Sequence, residues 1–230
     1  MSITPKASII IPTYNERDNI EVLADRIHRV VSDYELVVVD DSSPDGTAEV
    51  VARLSSKYPV RLIKRSAKMG YASAQMDGFL AAKGTILGTM DADLQHPPEV
   101  IPKLIQAANE TTIAIGSRYV KDGHIEGWPL WRRTMSKVAT IMARPLTRAS
   151  DPLSGFFFIH RNAINGVTSL QPRGFELLLE ILVRGDYQNI AEVPYTFYVR
   201  ERGESKLGSQ EITSYLMLLW LLSRNRSRRP

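Results

Sequence analysis

Cysteine is absent from all 230 residues, which removes disulfides and thiolate chemistry at once. Glycine-rich phosphate loops are missing as well. No G-x-G-x-x-G follows the first apolar segment, and G-x-x-x-x-G-K-[ST] occurs nowhere, so the usual dinucleotide fingerprint and the P-loop are both excluded. Histidine is scarce: His28, His96, His124 and His160 are scattered and form no H-E-x-x-H, so no histidine metal ligand is expected. The first six residues lack a basic start, an apolar core and a small-residue cleavage site, the reading expected of a cytoplasmic protein. The apolar run Tyr215–Leu222 is eight residues long, short of the roughly 20 that a helix needs to cross a bilayer. Acidic residues are missing from Gly127 to Ser150, where Arg132, Arg133, Lys137, Arg144 and Arg148 fall.

What remains is an ordinary globular composition, 43% hydrophobic and 23% charged with net charge +4, enough for one large domain with a substantial core. Arg224, Arg226, Arg228 and Arg229 add a second basic cluster at the C-terminal end. Such clusters suit nucleic acid, anionic lipid or phosphorylated substrates. No recognition-helix or aromatic stacking motif accompanies them, so nucleic acid is not expected as a partner.

Short apolar runs alternate with helical patterns. Ala7–Ile11, Glu35–Val39, Val60–Ile63, Thr85–Met90 and Thr112–Gly116 read as strands. Helices are expected from Ile20 to Val31, at Thr47–Leu54, at Tyr71–Lys83 and at Pro97–Ala108. The alternation predicts an α/β fold with a mostly parallel central sheet flanked by helices, its ligands bound beyond the carboxyl ends of the strands. The segments at those ends are Pro12–Glu16, Asp40–Gly46, Lys68–Tyr71, Asp91–His96 and Ser117–Tyr119, and they hold most of the unusual polar residues. Asp91-Ala92-Asp93 with Gln95 offers oxygens from one short loop, a pattern suited to Mg²⁺ or Mn²⁺ shared with substrate phosphates.

Together, Ile9–Glu16, Val38–Thr47, Met90–Pro97, Gly116–Tyr119, Asp151–Phe157 and Arg200–Gly208 resemble the inverting family 2 glycosyltransferases of GT-A (Rossmann-like) fold, and within them the dolichol-phosphate mannose synthases. The resemblance runs from about residue 7 to residue 215. It implies transfer of mannose from GDP-mannose to dolichyl (polyprenyl) phosphate, with Pro12, Tyr14, Glu16, Val39, Asp41, Asp91, Ala92 and Asp93 holding the nucleotide sugar. It further implies a divalent cation on Asp91, Asp93 and Gln95, with Asp93 as the catalytic residue. Arg118, Arg200 and Lys206 match basic residues near the acceptor phosphate or donor diphosphate. One departure is the run Leu177-Leu178-Leu179 before Glu180, where the subgroup tends to carry a polar glutamine. The same chemistry with UDP-glucose and a non-catalytic nucleotide-sugar module are the alternatives.

An acceptor in a membrane demands a way to reach it. Trp131, Met135, Val138, Met142 and Leu146 share one helical face, with Arg133, Lys137, Arg144 and Arg148 opposite, the pattern of an interface helix over about residues 128–147. Trp128 and Trp131 suit the interface, and Pro145 should break the helix. Residues 1–211 are thus expected to form the catalytic domain and 212–230 an apolar helix with a basic tail. Peripheral attachment at the cytoplasmic face of a membrane follows, with a membrane-domain partner as a further expectation.

Overall fold

The computed structural model describes residues 5–164, 177–199 and 209–225. Five parallel strands carry the architecture: β1 (Ala7–Thr13), β2 (Tyr34–Asp40), β3 (Val60–Lys64), β4 (Ile86–Thr89) and β5 (Thr112–Ser117). Between them lie α1 (Arg17–Val30), α2 (Thr47–Leu54), α3 (Tyr71–Ala81) and α4 (Ile101–Ala107). Each expected strand is present within one or two residues. The expected helix at Pro97–Ala108 divides into a 3₁₀ turn at Pro98–Val100 and then α4, because Pro98 and Pro102 restrict the backbone there.

Four strands have no counterpart in the sequence reading. These are β6 (His124–Ile125), β7 (Phe157–His160), β8 (Asn189–Pro194) and β9 (Thr196–Phe197), and they accompany α5 (Leu130–Ala143), α6 (Leu177–Arg184) and α7 (Ser209–Asn225). The main sheet has seven strands in the order β3-β2-β1-β4-β7-β5-β8, while β6 and β9 pair separately. Only β7 runs against its neighbours, pairing antiparallel with both β4 and β5. Its reversed direction matters for function: it begins at the edge where the others end, so Ser150–Phe156 joins the post-strand loops there.

Side-chain alternation along the strands divides the core into two layers. Ile9, Ile11, Leu36 and Val38 face α1, α2 and α4, whereas Ile10, Val37, Val39, Leu87, Ile113 and Ile115 face α3 and α6. On α1, buried Ile20, Leu23, Ala24 and Ile27 recur at three- and four-residue spacing, the stripe that one helix face buries. Gly88 permits a close approach across the antiparallel pair. A Cβ there would lie 2.1 Å from the Phe158 ring, so any side chain would force β7 away.

A third cluster lies outside these layers, where Ala143 of α5, Leu179 of α6 and Tyr215 and Leu222 of α7 pack together. Tyr215 Oη donates to the Ala139 carbonyl at 2.6 Å, tying α7 to α5. Among the described residues, no helix is long and apolar enough to cross a membrane.

Candidate active site

The post-strand loops are stitched to one another by side-chain hydrogen bonds. After β1, the Asn15, Glu16 and Arg17 amides donate to Ser43 Oγ, Thr47 Oγ1 and Asp45 Oδ2 at 3.0–3.1 Å. These acceptors lie in the loop after β2 or open α2. Asn15, Ser42, Leu94 and Asp122 have φ between 61° and 68°. They fall in the loops after β1, β2, β4 and β5, at one edge of the sheet. Left-handed backbone is unfavourable for such residues, most of all for leucine, and strain of this kind concentrates where a loop must present its groups in one way.

Pro12 and Val39 are register partners within the sheet, and both are buried. Val39 is fully enclosed in the layer under α3, so its side chain packs rather than contacting a ligand in this conformation. Tyr14 lies half-buried just beyond β1, with Lys68 Nζ 4.0 Å from its ring centroid. Glu16 Oε2 accepts a hydrogen bond from Asn19 Nδ2 at 2.9 Å.

Asp41 pairs with Arg65 Nη1 at 2.7 Å and accepts the Met69 and Gly70 amides at 3.2 and 2.9 Å. Both partners of the ion pair are buried, with side-chain exposures of 4% and 6%. Arg65 also reaches Ser73 Oγ and Asp77 Oδ2. Asp41 therefore fastens the chain between β3 and α3.

After β4, Asp91, Ala92, Asp93 and Gln95 form a compact turn. Asp93 Oδ1 accepts the Gln95 amide at 3.1 Å, and Gln95 Nε2 donates to the Tyr198 carbonyl at 2.6 Å. That second bond assigns the Gln95 amide its orientation, with oxygen opposite the nitrogen that Tyr198 holds. The Asp91 amide donates to His96 Nδ1 at 3.1 Å. His96 is buried among Phe156, Tyr195 and Phe197, stacking on Phe156 with centroids 5.1 Å apart. The expectation that histidine is no metal ligand thus acquires a structural alternative, since His96 Nδ1 supports the loop. Asp91 Oδ1 accepts a hydrogen bond from Tyr71 Oη. Among the described residues no three His, Cys, Asp or Glu side chains cluster for a metal. Two carboxylates plus an amide oxygen nevertheless fit a hard cation that fills its remaining positions with substrate oxygens.

Arg118 follows β5 and is paired within the protein. Its backbone N–H, Nε and Nη2 all go to the Asp151 carboxylate, at 2.7–2.9 Å. Burial works against the charge and Asp151 outweighs it, holding the guanidinium above its ordinary pKa. The pair is neutral as a unit, so its attraction for phosphate is smaller than that of a lone arginine. Glu192 in turn caps the Ser150 and Asp151 amides. Arg200 and Lys206 lie outside the described residues. Glu180 on α6 is 5% exposed, has Arg184 Nη1 at 3.8 Å, and its carboxyl is raised by burial against the opposing effect of Arg184.

On α5 the expected apolar stripe is open to solvent. Trp131 is 62% exposed, with Leu130, Met135, Val138, Ile141 and Met142 also exposed. Arg133 and Lys137 are exposed beside it, and Arg133 Nη2 donates to the Ile125 carbonyl. Two members of the expected group behave otherwise. Trp128 is half-buried, edge-on to Phe197 and covered by Arg132. Leu146 lies past the end of α5 and packs on the third cluster, the helix having ended before Pro145. On α7, Ile212, Leu216, Met217 and Trp220 are exposed as well.

Tyr71, Arg65 and His96 escaped sequence reasoning. Arg65 lies just past a strand, where solvation is the default reading. Tyr71 and His96 each close a post-strand segment at the sheet edge, and that position was the signal they carried.

Comparison with known proteins accords with this geometry. A sequence model described as glycosyl transferase family 2 matches residues 8–171. The chain is 51% identical over 224 residues to a dolichol-phosphate mannosyltransferase of Pyrococcus furiosus, covering 94% of this chain and 63% of that one. The Saccharomyces cerevisiae protein of the same name is 42% identical, covering 92% of this chain and 85% of that one. The chain thus spans less than two thirds of the archaeal relative but most of the yeast one. In fold it is similar to glucosyl-3-phosphoglycerate synthase from Mycobacterium tuberculosis, solved with Mn²⁺, UDP and glucosyl-3-phosphoglycerate. That likeness has a TM-score of 0.64 at 22% identity, over 98% of this chain and 81% of that one. With the family model spanning most of the chain and relatives at 42–51% identity, the chain belongs to glycosyl transferase family 2.

Proposed function

We propose that the protein transfers mannose from GDP-mannose to dolichyl (polyprenyl) phosphate, inverting the anomeric centre and releasing GDP. The observation that carries this reading is the convergence at one sheet edge of the Asp91–Gln95 turn with the loops after β1 and β2. The names of relatives 40–51% identical to the chain support mannose as the transferred sugar and dolichyl phosphate as the acceptor.

Asp91, Asp93 and the Gln95 oxygen would hold Mg²⁺ or Mn²⁺. A cation held there would supply positive charge for the diphosphate that departs. Asp93 is the catalytic residue of this reading through its hold on metal and sugar. Tyr14, with Lys68 over its ring, covers the base or ribose, and Glu16 accepts from a hydroxyl. Pro12, Val39 and Asp41 shape that pocket: the first two as its packed floor, and Asp41 by fastening residues 65–70 beside it. Ala92 sets the spacing of the two aspartates. The acceptor's phosphate, with a second pKa of about 6, is largely dianionic at neutral pH, so no strong base is needed. Its oxygen forms the new bond to the anomeric carbon, and the electron pair of the breaking bond leaves with GDP. Arg200 and Lys206 supply cationic guidance in this reading, with Arg118 bracing the wall through Asp151.

The exposed faces of α5 and α7 rest in the membrane interface, with Arg133, Lys137 and Arg144 toward anionic head groups. Attachment is peripheral, at the cytoplasmic face, with 212–230 as the membrane-associated part of the chain. The test offers labelled GDP-mannose and UDP-glucose separately, with dolichyl phosphate and Mg²⁺ or Mn²⁺, and follows label into the lipid phase. Label from GDP-mannose alone is expected; transfer from neither donor would overturn the reading.

A further inference from the structure

Helix α3 grips the end of β4 from above. Tyr71, its first residue, donates its hydroxyl to Asp91 Oδ1. One turn later Gln75 Nε2 donates to Thr89 Oγ1 at 3.0 Å. Residues four apart share a helix face, so these contacts bracket Met90 and fix the point where strand becomes loop. The placement of Tyr71 is itself fixed from behind. Gly70, at φ 103°, gives its amide to Asp41, and Asp41 is held by Arg65.

The opposite side is equally close. A Cβ on Gly155 would lie 3.3 Å from Tyr71 Oη, 3.6 Å from Asp91 Oδ1 and 3.5 Å from His96 Cε1. A glycine there leaves room for the hydroxyl to reach the carboxylate.

We propose that Tyr71 is a positioning residue for the divalent cation: its hydroxyl fixes the rotation of the Asp91 carboxylate and so determines which oxygen lone pairs the metal meets. This inference rests on the proposed role of Asp91 as a metal ligand. Partners that orient a ligating group in this way typically contribute about 10–100-fold to metal affinity. A purely structural role for Tyr71 predicts a change in stability with no change in affinity. A role in seating the cation predicts the reverse.

The test is a Mn²⁺ titration, read by the electron paramagnetic resonance signal of free Mn²⁺, on the full chain with GDP present. Tyr71→Phe is expected to weaken Mn²⁺ about tenfold or more, with an unfolding midpoint close to that of the parent. Tyr71→Leu, which also lacks the donor, is expected to match it and replaces it if the phenylalanine variant does not fold. In sugar transfer, the Mn²⁺ concentration for half-activation should rise by the same factor while the rate at saturating Mn²⁺ changes little. Asp91→Asn separates the two readings. If it loses Mn²⁺ while both Tyr71 variants bind within twofold of the parent, the Tyr71 proposal is overturned. If Asp91→Asn also binds normally, the metal site itself is misassigned.

Discussion

Arg118 and Asp151, 33 residues apart, form a fork-to-fork ion pair just beyond β5, with Nη2 to Oδ1 at 2.7 Å and Nε to Oδ2 at 2.8 Å. Side-chain exposures are 8% and 0%. Removing one partner of such a pair leaves a buried charge uncompensated, which costs about 3–5 kcal/mol. Asp151→Ala is therefore expected to lower unfolding free energy by that amount in urea titrations. The double variant Asp151→Leu with Arg118→Met should recover much of the loss. A loss below about 1 kcal/mol in the single variant would contradict the burial argument.

Asp41 and Arg65 make a second buried pair with a different consequence, because Asp41 also holds the Met69 and Gly70 amides. Asp41→Asn should accelerate hydrogen exchange at those two amides selectively, while the amides of β1 and β2 keep their protection. GDP affinity should fall with it if the released chain borders the donor pocket as proposed. Unchanged exchange at Met69 and Gly70 would remove Asp41 from this fastening role.

Glu180 gives a pH dependence of definite sign. Its carboxyl is raised by burial, so the folded state holds its proton more tightly than the unfolded chain does. The stabilising contribution is complete below the ordinary carboxylate value of 4.5 and is lost as pH rises through the folded value. Glu180→Gln is expected to flatten that decline in a series of urea midpoints from pH 4.5 to 8. Parallel curves for the two proteins would refute it.

The exposed face of α5 predicts a partition effect. Burying a large apolar side chain is worth about 1.5–3 kcal/mol, so Trp131→Ser should reduce sedimentation with anionic vesicles about tenfold or more. Replacing Arg133 and Lys137 by glutamine should weaken binding mainly at low salt, where surface charge is least screened. Vesicle binding equal to the parent in both variants would count against an interfacial α5.

The five parallel strands, and the edge where their polar loops gather, were legible because buried strands read as near-continuous apolar runs followed by polar turns. Strand β7 was not. Phe156–Ile159 is apolar enough, but nothing local tells that it inserts antiparallel between β4 and β5. The cations were the least legible. Arg118 sits in a recognisable motif, yet its partner lies 33 residues away, so only the fold reveals that the charge is already matched. The same holds for Asp41, whose turn-rich surroundings give no hint of Arg65. On α5, periodicity located the apolar stripe apart from Leu146, which lies past the helix end. It could not say that Trp128, just before the helix, turns inward onto Phe197.

Metal-dependent transfer of labelled mannose from GDP-mannose to dolichyl phosphate, measured before and after chelation, tests the proposed reaction most directly. The predicted result is product in the organic phase with Mg²⁺ or Mn²⁺, none after chelation, and recovery on adding either ion. Asp93→Ala should stay folded and transfer at least about a hundredfold more slowly, the scale set by losing one transition-state stabiliser. Full-rate transfer after chelation, or by Asp93→Ala, would contradict the account.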